Sequence, residues 1–150
     1  MNLLVLTADA SSRYAADDYK TVAVLSVDAP KACPFYDDLR TEKLEDFSDM
    51  YDFSVPSTYA EAQHIIRGNY VVFQDETFKH RLFRIYDVED SIYEGIHVKK
   101  AYASNAFIYD LGKTLVPRAN LGTVNFRDAF AHCLSNSGWQ VVESEYLGEL

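Results

Sequence analysis

The chain has 150 residues, of which 48% are hydrophobic, and it carries a formal net charge of −9 at pH 7. A chain of this length buries about two-thirds of its unfolded surface, so its stability does not require disulfides or a structural metal. The acidity argues against specific nucleic-acid binding, which needs clustered lysine and arginine. No apolar run approaches the ~18 residues of a transmembrane helix, so we expect no membrane span.

The N-terminal part of the chain predicts a hairpin followed by a loop. Two short apolar runs, Leu3–Thr7 and Thr21–Ser26, are typical of strands. The small and polar stretch Ala8–Asp18 between them indicates a long loop at the tip of this hairpin. Asp28–Asp38 contains two prolines, which favour extended and turn conformations, and we interpret it as a second loop.

Strand signals also dominate the middle of the chain. Large apolar residues alternate with polar ones up to Val55, and Pro56 then ends the run, which predicts a half-buried strand. A turn at Asp75–Lys79 makes a hairpin of the two strands beside it. The predicted strands of this region are Tyr51–Val55, Asn69–Phe73, Leu82–Val88 and Gly95–Ala101.

A short helix is predicted between the first two of these strands. Ser57 or Thr58 is a suitable N-cap for Tyr59–Arg67, and Gly68 is a suitable C-terminal stop.

A second helix is predicted near the C-terminus. Its apolar residues recur at the spacing of a one-faced helix over Phe126–Leu134, and Gly138 then ends it. A strand, Trp139–Val142, is expected to follow.

These elements predict an α+β, mainly β fold. We place a soft boundary between a β domain, residues 1–102, and the start of a second α+β domain, residues 103–150. Cys33 and Cys133 lie in no metal or redox spacing, so we expect both to be reduced and partly buried. The aromatic residues expected in the core are Phe53, Phe73, Phe83 and Phe130.

The sequence contains no motif of a hydrolase nucleophile, a zinc protease or a phosphate-binding loop. His132 and Cys133 are adjacent on the predicted helix and therefore point about 100° apart, a poor geometry for a nucleophile and its base. Asp87, Glu89 and Asp90 are interpreted as solvated charges at a strand end. We therefore expect no enzymatic activity, no metal and no cofactor in this chain.

Seven short segments carry a resemblance to a known family. They are Lys20–Leu25, Asp37–Glu45, Tyr51–Pro56, Gly68–Val72, Phe83–Ile85, Tyr109–Leu111 and Ser137–Trp139. In this order and approximate spacing, across about residues 20–145, they resemble the tail-hub proteins of long-tailed bacteriophages. That family includes phage minor structural proteins, prophage tail endopeptidases and the N-terminal regions of tail-associated lysins.

The resemblance implies small β-barrel hub modules with attached short helices. It also implies a homotrimer that closes the tail tube, couples it to host attachment and DNA passage, and contacts the distal tail protein, the tape-measure protein and the host cell surface. The location would be the virion, after synthesis in the bacterial host cytoplasm. Family chains are generally longer, and any lytic activity lies in downstream parts, so we expect this chain to be a fragment or a short form.

Two unlike charged patches are candidates for the contact between neighbouring subunits. In a closed ring each subunit presents different surfaces to its two neighbours, so an acidic patch facing a basic one is suitable. The alternative is that both are solvated faces that maintain solubility. The acidic candidates are Asp37, Asp38, Glu42, Glu45 and Asp46. The basic candidates are Lys79, Arg81, Arg84, Lys99 and Lys100.

Two other functions stay open at this point. The chain is alternatively the N-terminal fragment of a tail-associated peptidoglycan hydrolase, for which cleavage by this chain alone is the test. It is alternatively a host-carbohydrate-binding β module, for which exposed aromatic residues on a concave face are the discriminating feature. Tyr14 and Tyr19 are predicted to contact a partner.

Overall fold

The computed structural model describes residues 1–8, 19–113, 115–116, 118, 122, 124–137 and 139–140. The strands within them are β1 (Asn2–Ala8), β2 (Tyr19–Ser26), β3 (Tyr36–Lys43), β4 (Ser48–Pro56), β5 (Tyr70–Gln74), β6 (His80–Tyr93) and β7 (Ile96–Asn105). A 3₁₀ helix spans Ala60–His64, and the α-helices are α1 (Ala106–Lys113) and α2 (Phe126–Leu134). The predicted α+β, mainly β class is confirmed.

The seven strands form one antiparallel sheet in the order β2-β1-β5-β6-β7-β4-β3. The two predicted hairpins are confirmed, since β1 pairs with β2 and β5 pairs with β6. Two further hairpins, β3–β4 and β6–β7, complete the sheet. Glu94 and Gly95 make the β6–β7 turn with φ angles of 49° and 82°, and a tight two-residue hairpin turn uses such positive φ angles.

The sheet curls into a half-barrel, and its two edge strands approach each other. Leu25 in β2 forms a parallel bridge with Cys33, which lies just before β3. The N–H of Ser26 donates to the carbonyl oxygen of Cys33 at 3.0 Å. The 3₁₀ helix packs against β2, and its Ala62 and the following Ile65 lie in the core. The seam of the half-barrel is therefore held by one backbone bridge and covered by a helical turn.

One hydrophobic core fills the half-barrel. Phe53, Phe73 and Phe83 are buried, as predicted. The rings of Phe73 and Phe83 stack with centroids 5.6 Å apart, and Tyr51 lies 4.6 Å from Phe73. Each side chain of this size contributes about 1.5–3 kcal/mol when it is fully buried. Phe130 is different, because it is 45% exposed and the prediction that it is buried was wrong.

The error at Phe130 has a physical reason. Helical spacing shows which side chains share a face, but not whether another element covers that face. The helix itself is predicted correctly, and its N-cap is Asn125, whose side chain accepts a hydrogen bond from the N–H of Asp128 at 2.8 Å. Its last residue, Leu134, is buried.

The observed strands are shifted or longer than predicted by one to five residues at their ends, and two other elements differ in kind. The expected loop Asp28–Asp38 ends earlier, because β3 begins at Tyr36. This edge strand is mostly exposed and charged, so it has no apolar alternation to reveal it. The helix expected over Tyr59–Arg67 is a shorter 3₁₀ helix, and its N-cap residue Tyr59 makes no side-chain cap hydrogen bond. Gly68 does end this region, with a φ of 98°.

Some predictions fall partly or wholly outside the described residues. Most of the loop Ala8–Asp18, including Tyr14, lies outside them, as do Gly138, Val141 and Val142. Trp139 and Gln140 are described and are not in a strand. At the expected domain boundary after residue 102, β7 continues to Asn105 and α1 begins at the next residue.

Candidate functional site

A buried carboxylate organises one end of the half-barrel. Asp49, at the start of β4, is 8% exposed. Arg40 on β3 donates to its two oxygens from Nε at 2.9 Å and from Nη2 at 3.0 Å. Asn105, at the end of β7, donates from Nδ2 to Asp49 Oδ2 at 2.9 Å. Both oxygens of Asp49 therefore bind groups of this chain, and the network ties β3, β4 and β7 together.

Arg40 is the most connected cation of this network. Its hydrogen bonds to Asp49 raise the pKa of the guanidinium above its ordinary value. It also contacts Glu42, and its guanidinium carbon lies 5.8 Å from the centre of the Phe83 ring. The charged layer thus rests directly on the aromatic core. This arrangement closes the end of the core with paired charges instead of apolar residues.

A second ion pair lies in the β5–β6 turn. Asp75 Oδ1 accepts hydrogen bonds from the N–H and the hydroxyl of Thr77 and from the N–H of Lys79. Its other oxygen accepts from Arg81 Nε at 2.6 Å. The bonds from Thr77, followed by the one from Arg81, hold the pKa of the Asp75 carboxyl below its usual range. This side chain fixes the shape of the turn.

Large apolar side chains are exposed in two turns. Leu44 and Phe47, in the β3–β4 turn, are 89% and 77% exposed, and Phe78, in the β5–β6 turn, is 81% exposed. Phe47 and Phe78 have φ angles of 54° and 60°. Left-handed backbone is uncommon for a bulky residue and favours glycine, so this conformation costs free energy at each phenylalanine. Because both side chains are exposed, their burial does not offset that cost.

Both turns lie at the same end of the half-barrel. β4 begins where β7 ends, since Met50 pairs with Ser104. β6 begins there as well, since Phe83 pairs with Asn105. The β3–β4 and β5–β6 turns therefore project from one rim, which we call the apolar rim and define by Leu44, Phe47 and Phe78.

The acidic candidates of the sequence are spread along β3 and its turn, and Glu42, near the end of the strand, pairs with Arg40. Glu45 and Asp46 lie between Leu44 and Phe47 of the apolar rim and are exposed themselves. Asp37 and Asp38 lie toward the other end of the strand, where Asp38 accepts a hydrogen bond from the hydroxyl of Tyr51 at 3.3 Å.

The basic candidates are dispersed, and most of them bind groups of their own chain. Arg81 pairs with Asp75, as described above, and Lys79 next to it is exposed. Lys99 Nζ donates to the carbonyl oxygen of Ala62 at 3.3 Å. Lys100 lies 5.1 Å from the centre of the Tyr102 ring. Only Lys79 and Arg81 among the five candidates adjoin the apolar rim.

Arg84 has a role that the sequence analysis missed. It pairs with Asp110 of α1 at 3.2 Å, and its guanidinium carbon lies 5.4 Å from the ring of Tyr70 and 5.1 Å from that of Tyr109. Tyr19, predicted to contact a partner, packs edge-on against Tyr70 at 4.9 Å. Arg84 thus fastens α1 to the outside of the sheet.

The segment after α2 reaches the same place. Trp139 Nε1 donates to Asp110 Oδ2 at 3.4 Å, and its ring packs edge-on against Phe107 at 5.1 Å. Trp139 therefore contacts α1 on the outside of the sheet.

The outer face of the sheet holds one unsatisfied carboxylate oxygen. Asp52 Oδ1 is buried and has no hydrogen-bond partner among the described residues. Burial raises the pKa of the Asp52 carboxyl, while the charge of Lys100 lowers it by less. An unpaired acceptor of this kind destabilises the folded state.

The two cysteines have different environments. Cys33 is completely buried, and this burial raises the pKa of its thiol to about 11. Cys133 is exposed, so the prediction of a partly buried thiol was wrong there. Within the described residues, no three His, Cys, Asp or Glu side chains are grouped in a way that would hold a metal ion.

None of the described helices is long and apolar enough to cross a membrane. Comparison of the chain with protein-family models, with curated proteins and with solved structures finds no match in any of the three.

Proposed function

We propose that the chain is a non-enzymatic structural subunit of a bacteriophage tail tip, of the hub kind that its motif order resembles. In this role it closes the tail tube as part of a homotrimer and contacts the distal tail and tape-measure proteins. Its activity resides in surfaces that assemble, and it needs no cofactor.

The apolar rim is the observation that carries this proposal. Leu44, Phe47 and Phe78 are among the most exposed large side chains of an otherwise acidic protein. Exposed apolar groups of this size, surrounded by charge, are typical of protein–protein contact sites. The left-handed backbone of Phe47 and Phe78 supports the same reading, since strained residues cluster at functional positions.

The charges beside the apolar rim give it two unlike sides. Glu45 and Asp46 adjoin Phe47, whereas Lys79 and Arg81 follow Phe78. In a ring, the acidic β3–β4 turn of one subunit would contact the basic β5–β6 turn of the next. This contact would bury the apolar residues of both turns and surround them with paired charges. This geometry suits the heterologous contacts of a ring.

The filled interior favours assembly over the carbohydrate-binding alternative. The inner side of the curled sheet is occupied by the chain's own core, including Tyr51, Phe73 and Phe83. These aromatic rings pack on one another and are buried, so they do not form an open platform for a sugar.

Immunogold electron microscopy tests the proposed location. Antibodies raised against the purified chain are applied to phage particles released from the bacterium that carries its coding sequence. We expect gold particles at the tail tip, and no labelling once the antibody has been absorbed with the purified chain. Intact tailed particles that are never labelled, or are labelled on the head, would contradict the proposal.

A further inference from the structure

β6 is longer on one side than the strand that covers it. Its pairing with β7 runs from Phe83 to Tyr93. On its other side, pairing with β5 ends at Arg84, and Ile85 then bonds to the loop before β5 through Gly68 and Asn69 at 2.8 Å each. Beyond this point no described strand pairs with that side of β6. Residues Asp87–Tyr93 therefore form a sheet edge, which we call the β6 edge.

The end of the pairing coincides with an irregularity in the strand. The β6–β7 register shifts between Ile85 and Asp87. The side chain of Asp87 then accepts the N–H of Val88 at 3.0 Å, which satisfies one amide locally. From Glu89 to Tyr93 every residue is exposed.

An exposed edge of this length is a template for another strand unless its side chains prevent it. Charged side chains, proline, bulges and short length are the usual protections; the β6 edge has a register shift at its start and only acidic charges, and it contains neither lysine nor proline. On β7, Lys100 lies opposite Glu89, which also accepts a hydrogen bond from the hydroxyl of Tyr102 at 3.0 Å, and Lys99 lies opposite Asp90. The charged residues of the edge itself, Asp87, Glu89 and Asp90, are all acidic and exposed. They repel a second copy of the same edge, and repulsion by a chain of net charge −9 adds to this. They attract a strand that carries lysine or arginine.

The tip of this hairpin adds an apolar contact surface. Ile92, Tyr93 and Ile96 are 66%, 69% and 55% exposed. They lie next to the acidic residues on the same hairpin, at the opposite end of β6 from the apolar rim. A strand laid along the edge would meet acidic side chains first and apolar ones at the turn.

We propose that the β6 edge binds an extended segment of another protein by strand addition, and that this segment combines basic and apolar residues. Main-chain hydrogen bonds supply the affinity of such contacts, and side-chain complementarity supplies the choice of partner. This surface is separate from the apolar rim. A negative result for strand addition therefore does not contradict the proposed ring, and a negative result for the ring does not contradict strand addition.

Two synthetic peptides test the binding directly. One alternates valine with lysine over seven residues, and the other alternates valine with glutamate. Their binding to the full chain is followed by fluorescence anisotropy at low salt, and backbone protection is followed by hydrogen exchange. We expect the lysine peptide to bind at least tenfold more tightly and to slow exchange within Asp87–Tyr93, while exchange in β3 is unchanged.

Matched charge reversals separate the edge from the overall charge. The variant Glu89→Lys/Asp90→Lys should bind the lysine peptide at least tenfold more weakly than the native chain does. It should bind the glutamate peptide more tightly. The control Asp28→Lys/Glu76→Lys changes the net charge equally, at exposed positions away from the edge, and should keep the original preference. Equal loss in both variants, protection elsewhere in the chain, or no binding of the lysine peptide overturns the proposal.

Discussion

Asn105 joins the buried Asp49 of the half-barrel to the first turn of α1. Its Nδ2 donates to Asp49 Oδ2 at 2.9 Å, and its Oδ1 accepts the N–H of Phe107 at 3.1 Å. One amide side chain therefore satisfies a carboxylate that is 8% exposed and an amide at the start of a helix. The position of α1 is coupled in this way to the charge network of β3 and β4.

Replacing Asn105 with alanine should lower the free energy of unfolding by about 1–3 kcal/mol, because Asp49 loses a donor and Phe107 loses its acceptor. Urea unfolding followed by far-UV circular dichroism measures the change. Gln63→Ala, at an exposed position of the 3₁₀ helix, is the control and should shift stability by less than about 0.5 kcal/mol. Equal effects of the two substitutions would contradict this role for Asn105.

Asp52→Asn should stabilise the protein at neutral pH, by about 1 kcal/mol or less once solvent screening is allowed for. Burial raises the pKa of this carboxyl in the folded state. A raised carboxyl pKa means that stability falls as the pH rises through the unfolded value of about 3.9 toward the folded one. The asparagine variant escapes this loss, so its advantage should be complete at pH 7 and nearly absent below about pH 3.5.

Urea unfolding of Asp52→Asn and of the native chain across this pH range measures the effect. Glu76→Gln removes an exposed carboxylate and is the matched control. An Asp52→Asn variant that is less stable than the native chain at pH 7 would show that Asp52 has a partner.

Two phenylalanines should respond in opposite ways to truncation. Phe73 is 5% exposed and stacks on Phe83, so Phe73→Ala should cost about 3–5 kcal/mol. Phe78 is 81% exposed with a φ of 60°, so Phe78→Gly should leave stability unchanged or raise it by up to about 1 kcal/mol. Thermal unfolding of dilute protein compares them. A loss above about 2 kcal/mol for Phe78→Gly would mean that this side chain serves the fold.

The two thiols should differ in reactivity by orders of magnitude. Cys33 is completely buried and has a thiol pKa raised to about 11, whereas Cys133 is exposed. The thiolate is the reacting form, so a disulfide reagent at pH 8 should modify one thiol per chain in the native protein and two in urea. The Cys133→Ser variant should react only after unfolding. Rapid native labelling of that variant would contradict the described seam, because Cys33 forms its bridge.

The parts of the fold that follow local patterns were predictable. The alternation at Tyr51–Val55 predicted a strand and the helical spacing of Phe126–Leu134 predicted a helix, and both elements are present. Such elements are predictable because apolar residues recur in the sequence with the period of the strand or helix. β3 was missed, because an exposed edge strand needs no apolar alternation. The exposure of Phe130 was missed as well, since it depends on which distant element covers a helix.

The candidate site was predictable to a smaller extent. The acidic run ending at Asp46 is a feature of the sequence, and it does lie along one strand and its turn. The pairings of Arg81 with Asp75 and of Arg84 with Asp110 depend on the sheet order and on the position of α1. A charge count along the chain does not contain that information. The sequence placed Phe78 in the predicted turn Asp75–Lys79, but neither its exposure nor that of Phe47 was predicted.

The molar mass of the chain in solution tests the proposed assembly most directly. Size-exclusion chromatography with light scattering is run over a range of protein concentrations at low and high salt, with Phe47→Ser/Phe78→Ser as the matched variant. We expect a mass of three times 17.1 kDa at low salt, a lower mass at high salt, where exposed charges are screened over less than about 10 Å, and a monomer for the variant. A native chain that stays at 17.1 kDa under every condition would contradict self-assembly through the apolar rim.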